Sequence, residues 1–354
     1  MKPFRTLPIL VALAAACGGA GAADLRAGIV APLTGASAIL GRQVEAGARH
    51  AAEAGGVAVE VVDDACTAKG GANAARRLAR AKVQVAVGFL CTEAIEAAMP
   101  ILKEAGIPAI TPGVRTDSLT DRRHKTGWPV FRLAPRADAE RTAVGELLAA
   151  RWRTELFAIV DDGTIYGREL AESLRLAVEQ AGLKPVFVDT FRPQLDNQIG
   201  LVGRLRKAGA THVFVGGDRD DIAIIGRDAA GLDVPLVVAG GESLRAAGDL
   251  PLAAGTLMVG LPEWADRADP AVLASLAEKG VAAEGYVLPA HAAMEIAVAA
   301  AKVAGEGGIA GAIGGSEFET ALGKIAFDAK GDVAGSQYAL FRYDGTRFVA
   351  ADGE

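Results

Sequence analysis

Chemistry in this chain could begin at its cysteines. Cys66 lies in Asp63-Asp64-Ala65-Cys66 and Cys91 in Gly88-Phe89-Leu90-Cys91-Thr92, each just past a short β-branched run. Two thiols at equivalent strand ends read as one disulfide, Cys66–Cys91, worth about 3–4 kcal/mol in the chain-entropy account; two buried free thiols are the competing reading. These segments carry too few further ligands for a zinc site, so no metal is expected. The four histidines, His50, His124, His212 and His291, are scattered without metal-ligand spacing and read as structural. The sequence has no His-Glu-x-x-His, no Gly-x-Ser-x-Gly elbow, no P-loop, and no Gly-x-Gly-x-x-Gly between a first strand and helix. Catalysis and a bound cofactor are therefore not expected. A net charge of −6 and only 5% aromatic residues also count against a nucleic-acid surface.

The N-terminus points to export. Lys2 and Arg5 precede the apolar run 7–16, and small residues cluster at Ala20-Gly21-Ala22-Ala23. That is the pattern of a signal peptide over residues 1–23, cut near Ala22 or Ala23. Lipidation at Cys17 is the less favoured alternative, because Ala14 stands three positions before it where Leu is usual. No later segment has the length of a membrane-spanning helix.

The remaining residues, ample for two lobes, alternate short β-branched runs with longer amphipathic stretches. Strands are expected at 25–32, 57–63, 83–89 and 107–111, with helices between them. After Pro135 the rhythm restarts, with strands at 156–161, 185–191, 212–216 and 236–239. Such alternation predicts an α/β protein with two doubly wound parallel sheets. Ligands of open α/β sheets bind beyond the C-terminal strand ends. Here those ends carry Leu90 and Thr92, Gly113 and Arg115, Tyr166, Asp218 and Glu242. These also have plainer readings: Thr92 as a helix N-cap, Tyr166 as a cap on the loop 161–164, Glu242 as a solvated loop charge, and Arg115 and Asp218 as charges that face water. Arg136 and Asp138 read as hinge-side or surface charges, and the Gly-rich stretch 305–315 as a surface loop.

The ordered motifs Ala31-Pro32-Leu33-Thr34-Gly35, Asp63-Asp64-Ala65-Cys66, Gly88-Phe89-Leu90-Cys91-Thr92, Ile110-Thr111-Pro112, Tyr166-Gly167 and Gly216-Gly217 carry a resemblance. Residues 323–332, Gly-Lys-Ile-Ala-Phe-Asp-Ala-Lys-Gly-Asp, complete the set. The chain resembles the Leu/Ile/Val-binding protein family of ABC importers from about residue 25 onward. The resemblance implies a type I periplasmic binding protein, or Venus flytrap, with a three-crossover hinge. Its first lobe would hold 24–134 plus 262–335, and its second 135–261 plus 336–354. The family's disulfide would join Cys66 and Cys91.

By the same resemblance an amino acid sits between the lobes. Leu90, Thr92 and Gly113 match positions that hold the ligand carboxylate, Tyr166 an aromatic that closes over the ligand, and Glu242 a carboxylate for its ammonium. Three positions depart: Arg115 stands where Thr is common, Asp218 where an aromatic is, and Leu40 where an aromatic often is. The departures favour a polar ligand, such as a charged or amide amino acid or a carboxylate without an ammonium, over a branched aliphatic one. Arg115 and Asp218 could both touch it or pair with each other. The implied partners are the ligand and an inner-membrane ABC permease, for a monomer located in the periplasm. The alternatives are a ligand sensor signalling to a receptor, or a binder of amides or aromatic carboxylates.

Overall fold

A computed structural model describes residues 25–351. The expected signal peptide and Cys17 lie outside the described residues. The first sheet is built from β1 (Arg26–Ala31), β2 (Ala58–Asp63), β3 (Val85–Gly88), β4 (Ala109–Thr111) and β5 (Val130–Arg132). All pairings are parallel, in the order β2-β1-β3-β4-β5. Helices α1 (Ala38–Ala54), α2 (Ala68–Arg80) and α3 (Thr92–Glu104) connect the first four strands, and the short α4 (Ser118–Asp121) and α5 (Arg123–Thr126) precede β5. β3 is buried along its whole length, as expected of a strand with helices on both faces.

The second sheet begins after α6 (Ala139–Arg151). It contains β6 (Phe157–Asp161), β7 (Phe187–Thr190), β8 (His212–Gly216), β9 (Val237–Gly240) and β10 (Leu257–Gly260), separated by α7 (Ile165–Gln180), α8 (Ile199–Lys207) and α9 (Arg219–Gly231). The chain then returns to the first body through α10 (Trp264–Arg267), α11 (Pro270–Glu278), α12 (Val287–Val303), α13 (Gly308–Gly315) and the hairpin β11 (Glu317–Thr320) and β12 (Gly323–Ala326). It ends as β13 (Ala339–Tyr343) and β14 (Phe348–Ala350), which complete the order β14-β13-β10-β9-β8-β6-β7. β13 and β14 are antiparallel to their neighbours. The second sheet is thus mixed and not purely parallel: a tail entering from the other body can turn back through the Asp344 turn without a crossover helix.

The stretch 305–315 is not a loop over its whole length. Residues Gly308–Gly315 form α13, and Ile313 is fully buried in the core of the first body. Packing outweighs the poor helix propensity of glycine there. α12 is mostly buried between α1 and the first sheet, and a Cβ at Gly47 of α1 would overlap the Val287 carbonyl oxygen. Among the described residues no single helix is long and apolar enough to cross a membrane.

Three crossings join the two sheets, after β5, after β10 and before β13. The first and third are bolted together by a buried ion network. The fully buried Arg132 guanidinium donates from Nε and Nη2 to Asp332 Oδ1 at 2.8 and 2.6 Å, and from Nη1 to the Thr116 carbonyl. Arg136 reaches Asp332 Oδ2 at 3.1 Å, Asp121 Oδ1 at 3.0 Å and Asp138 Oδ1 at 2.9 Å. Its hydrogen bonds, with that of Lys330, hold the Asp121 carboxyl down at about 2. Arg136 and Asp138 are therefore hinge-side charges, and removing one partner of the buried pair would leave an uncompensated ion.

Candidate functional site

The strand ends of the first sheet form one wall of a cleft. Cys66 and Cys91 are joined in a disulfide with Cα atoms 5.3 Å apart. It ties the loop after β2 to the start of α3. Helix α3 begins at Thr92 itself, with Cys91 at the N-cap, so the Thr92 hydroxyl is not a cap; its Oγ1 lies 2.6 Å from Thr116 Oγ1. Asp63 accepts from the Leu33 N–H at 2.8 Å and the Thr34 hydroxyl at 2.6 Å, which fixes the loop after β1. Burial opposes its charge, but these bonds together hold its carboxyl below the usual range. After β4, the backbone at Gly113 is pressed between side chains: a Cβ there would overlap Leu90 Cδ2 and lie 3.0 Å from Tyr286 Cε1. Only glycine lets Leu90 and Tyr286 close over that segment.

Arg115 is half-buried beyond Gly113. Its Nη2 donates to the Tyr338 hydroxyl at 2.6 Å, while its buried Nε has no hydrogen-bond partner. Among the described residues no carboxylate lies within ion-pair distance of it. Burial raises the Tyr286 hydroxyl, opposed by the Arg115 charge. The Tyr338 hydroxyl is pushed up to about 12, mainly by burial, with Arg115 opposing and Glu140 and Glu242 adding to the rise. Tyr338, packed in the core of the second body, is thus tied by a hydrogen bond to the cation of the first wall.

The second wall holds Tyr166 and Glu242 together with Glu140. Tyr166 lies in the first turn of α7, which Thr164 caps by accepting from the Gly167 N–H, so Tyr166 does not cap that loop itself. Its hydroxyl donates to Glu140 Oε1 at 2.6 Å, the Glu242 N–H donates to the same oxygen at 2.8 Å, and the Ser243 N–H reaches the Tyr166 hydroxyl at 3.3 Å. Burial, followed by the Glu140 charge, raises the Tyr166 phenol far above its ordinary value. Both oxygens of Glu242 are engaged by the protein, Oε1 by Arg245 Nε at 2.8 Å and Oε2 by the Leu261 N–H at 2.6 Å. Burial still raises the Glu242 carboxyl, against the opposing Arg245 charge.

Two of the departing positions fall elsewhere. Asp218 is exposed, at the N-cap of α9, and lines a separate acidic groove of about 740 Å³ with Asp196, Asp220, Asp221 and Asp249. Arg115 lines a different cavity, of about 530 Å³, beside the three crossings, so the two do not pair. Leu40 is exposed on α1. Conversely, sequence reasoning passed over Glu140, Tyr286 and Tyr338. The scarcity of tyrosine was a usable signal, because three of the four tyrosines in the chain stand at this cleft. Two of the supposedly scattered histidines also meet: His50 of α1 and His291 of α12 have ring centroids 5.1 Å apart.

Two α/β bodies hinged by three crossings, with a cleft lined by their strand ends, define a type I periplasmic binding protein. A sequence profile described as "Periplasmic binding protein" matches residues 24–350, and the chain belongs to that family. It is 29% identical to Leu/Ile/Val-binding protein homolog 3 of Brucella melitensis, over 97% of this chain and 98% of that protein. It is also 29% identical to the leucine-, isoleucine-, valine-, threonine- and alanine-binding protein of Pseudomonas aeruginosa, over 92% of each. Among solved structures, a Rhodospirillum rubrum protein described as a branched-chain amino acid ABC transporter superposes with a TM-score of 0.75 at 19% identity, covering 92% of this chain and 99% of that one. A Rhodopseudomonas palustris solute-binding protein holding 3,4-dihydroxybenzoic acid superposes with a TM-score of 0.59 at 19% identity, covering 92% and 96%. These structures speak to the fold. The family is one of binding proteins and implies a periplasmic location.

Proposed function

We propose that this protein is the substrate-binding component of an ABC importer, capturing an amino acid or a related small polar carboxylate between its lobes. The lobes are 24–134 plus 262–335 and 135–261 plus 336–354. The carrying observation is the placement of Tyr338, which packs in the core of the second body and takes a hydrogen bond from Arg115 of the first wall at 2.6 Å. A ligand in this cleft meets hydroxyl, backbone and guanidinium donors on one side and the Tyr166 ring on the other, an arrangement suited to the carboxylate end of a small polar ligand. Docking starts on Leu90, Thr92, Gly113 and Arg115. Hinge closure then brings up Tyr166 and the Glu242 segment, while Asp218 stays outside the site in its own groove. Closure is driven only by the contacts that the ligand gains in the closed form.

The reading is non-catalytic, with no cofactor. The exported chain, freed of residues 1–23, acts as a monomer and presents both lobes to an inner-membrane permease. The relatives named for leucine, isoleucine and valine support the amino-acid class. A thermal-shift screen over amino acids, amides and aliphatic or aromatic carboxylates tests it, since a specific ligand raises Tm by mass action. At least one small carboxylate should raise Tm in a concentration-dependent way; a flat response across the whole panel would overturn the proposal.

A further inference from the structure

Arg115 is out of balance with its surroundings. It is half-buried, has no ion-pair partner among the described residues, and leaves a buried Nε–H unbonded. A desolvated guanidinium without an anion is costly, and an external carboxylate would satisfy it in two-point geometry. The opposite wall shows the reverse. Glu242 has both oxygens committed within the protein, to Arg245 and to the Leu261 N–H. The site therefore has an unspent cation and no comparable unspent anion in Glu242.

The cavity beside the crossings fits the same accounting. Its volume of about 530 Å³ lies within the range of small-molecule sites. Arg115, Arg267 and Lys324 are its charged lining residues, and among the described residues no Asp or Glu lines it. Arg267 is exposed at its mouth, and Lys324 is already paired with Glu317 at 3.0 Å and Glu319 at 3.3 Å, so Arg115 is the inner cation to be met. Between these charges the walls are apolar rings and branched side chains, including Pro112, Tyr286, Pro289, Trp264 and Ile325. One further orphan, the buried Oε1 of Gln337, is an acceptor in the same wall that a hydroxyl on the ligand's body would satisfy.

Resting on the lobe-capture reading above, we infer that the ligand is a carboxylate lacking an α-ammonium. Its anion sits on Arg115, and its apolar alkyl or aryl body occupies the cavity beside the crossings, between Tyr286 and Trp264. An α-ammonium would be carried into a cavity that presents an unpaired cation and, among the described residues, no carboxylate.

Matched pairs that differ only in the ammonium test this: L-phenylalanine against 3-phenylpropanoate, and L-leucine against 4-methylpentanoate, titrated calorimetrically into the full mature protein. The des-amino member of at least one pair should bind ten-fold or more tightly than its amino acid. Arg115→Gln should lose at least ten-fold for that ligand, and Arg115→Lys should recover part of the loss. Trp264→Ala should weaken the same ligand several-fold, with Tm of the unliganded variants confirming that each folds. Tighter binding of the amino acid in both pairs, with Arg115→Gln equal to the parent, would overturn the inference and leave capture between the lobes standing. Failure of all four probes to bind would overturn the inference, while the wider screen decides the capture reading separately.

Discussion

The two walls of the cleft use polar groups in opposite ways. On the first wall, donors are left open: the Arg115 Nε–H is unbonded, and the Thr92 hydroxyl meets only another hydroxyl. On the second wall the polar groups answer one another, with Tyr166 and the Glu242 N–H on Glu140, and Glu242 on Arg245 and Leu261. A buried polar group left open in the protein alone is a cost that a ligand can relieve, whereas a satisfied network mainly holds its own lobe in shape. The first wall should therefore choose the ligand and the second should shape the lid. Changes on the two walls must then read out differently, and that difference can be attacked directly.

The largest effect is expected from the disulfide that anchors the first wall. Opening Cys66–Cys91, with its 25-residue separation, should cost about 3–4 kcal/mol of stability. Denaturant unfolding of the Cys66→Ser/Cys91→Ser variant against the parent measures it; equal midpoints would mean that the cross-link does not constrain this wall. On the second wall, Glu140→Ala removes the acceptor of the Tyr166 hydroxyl and of the Glu242 N–H, a net loss of about 1–3 kcal/mol for the two hydrogen bonds together. That loss should appear in unfolding, whereas a first-wall change appears in ligand choice. A Glu140→Ala variant that is fully stable but changed in ligand preference would reverse the roles assigned to the walls.

Thr92→Ala should weaken a bound carboxylate by about 1.5–3 kcal/mol, the range for a hydrogen bond to a charged group, while Thr92→Ser largely keeps affinity. Calorimetry showing equal affinity for parent and Ala variant would remove Thr92 from the site. The smallest effect concerns pH. The seam between α1 and α12 runs from Gln43, which accepts from the Tyr286 N–H at 3.2 Å, to His50 and His291. Around His50 stand Glu53 on α1, Ser275 on α11 and Lys279 at its C-cap, and His291 on α12, which is itself beside Glu295. Burial, then the His291 and Lys279 charges, lower its pKa below the ordinary 6.5. A depressed histidine contributes stability that is fully present above about 6.5 and is lost as pH falls through the folded value. Tm should therefore fall more for the parent than for His50→Gln between about pH 7.5 and about pH 5.5. Parallel curves would mean that His50 does not titrate in this window.

The sequence carried the first wall better than the second. Alternation of β-branched runs with amphipathic stretches is a local signal, and it located the strands whose ends carry Leu90, Thr92, Gly113 and Tyr166. The disulfide was legible because both cysteines follow strands. Glu140 was not, since its partners Tyr166 and Glu242 lie 26 and 102 residues away and nothing near Glu140 marks it as buried. Tyr338 likewise meets Arg115 across 223 residues. Asp218 was placed at the right strand end, yet its side chain is exposed along a different groove, because a strand-end position fixes the Cα and not the direction beyond it. The direction of β13 and β14 depends on which sheet edge the tail meets, which a run of apolar residues does not encode. α13 was missed because its glycines favour a loop locally, and only the burial of Ile313 tips the balance.

Capture by closure of the second wall onto a ligand chosen by the first is tested most directly by small-angle X-ray scattering. The protein should be measured alone and saturated with whichever small carboxylate raises Tm most. The account predicts a smaller radius of gyration in the liganded sample, with the same shift blunted in Arg115→Gln at equal ligand concentration. A ligand that raises Tm while the scattering curve stays unchanged would contradict it.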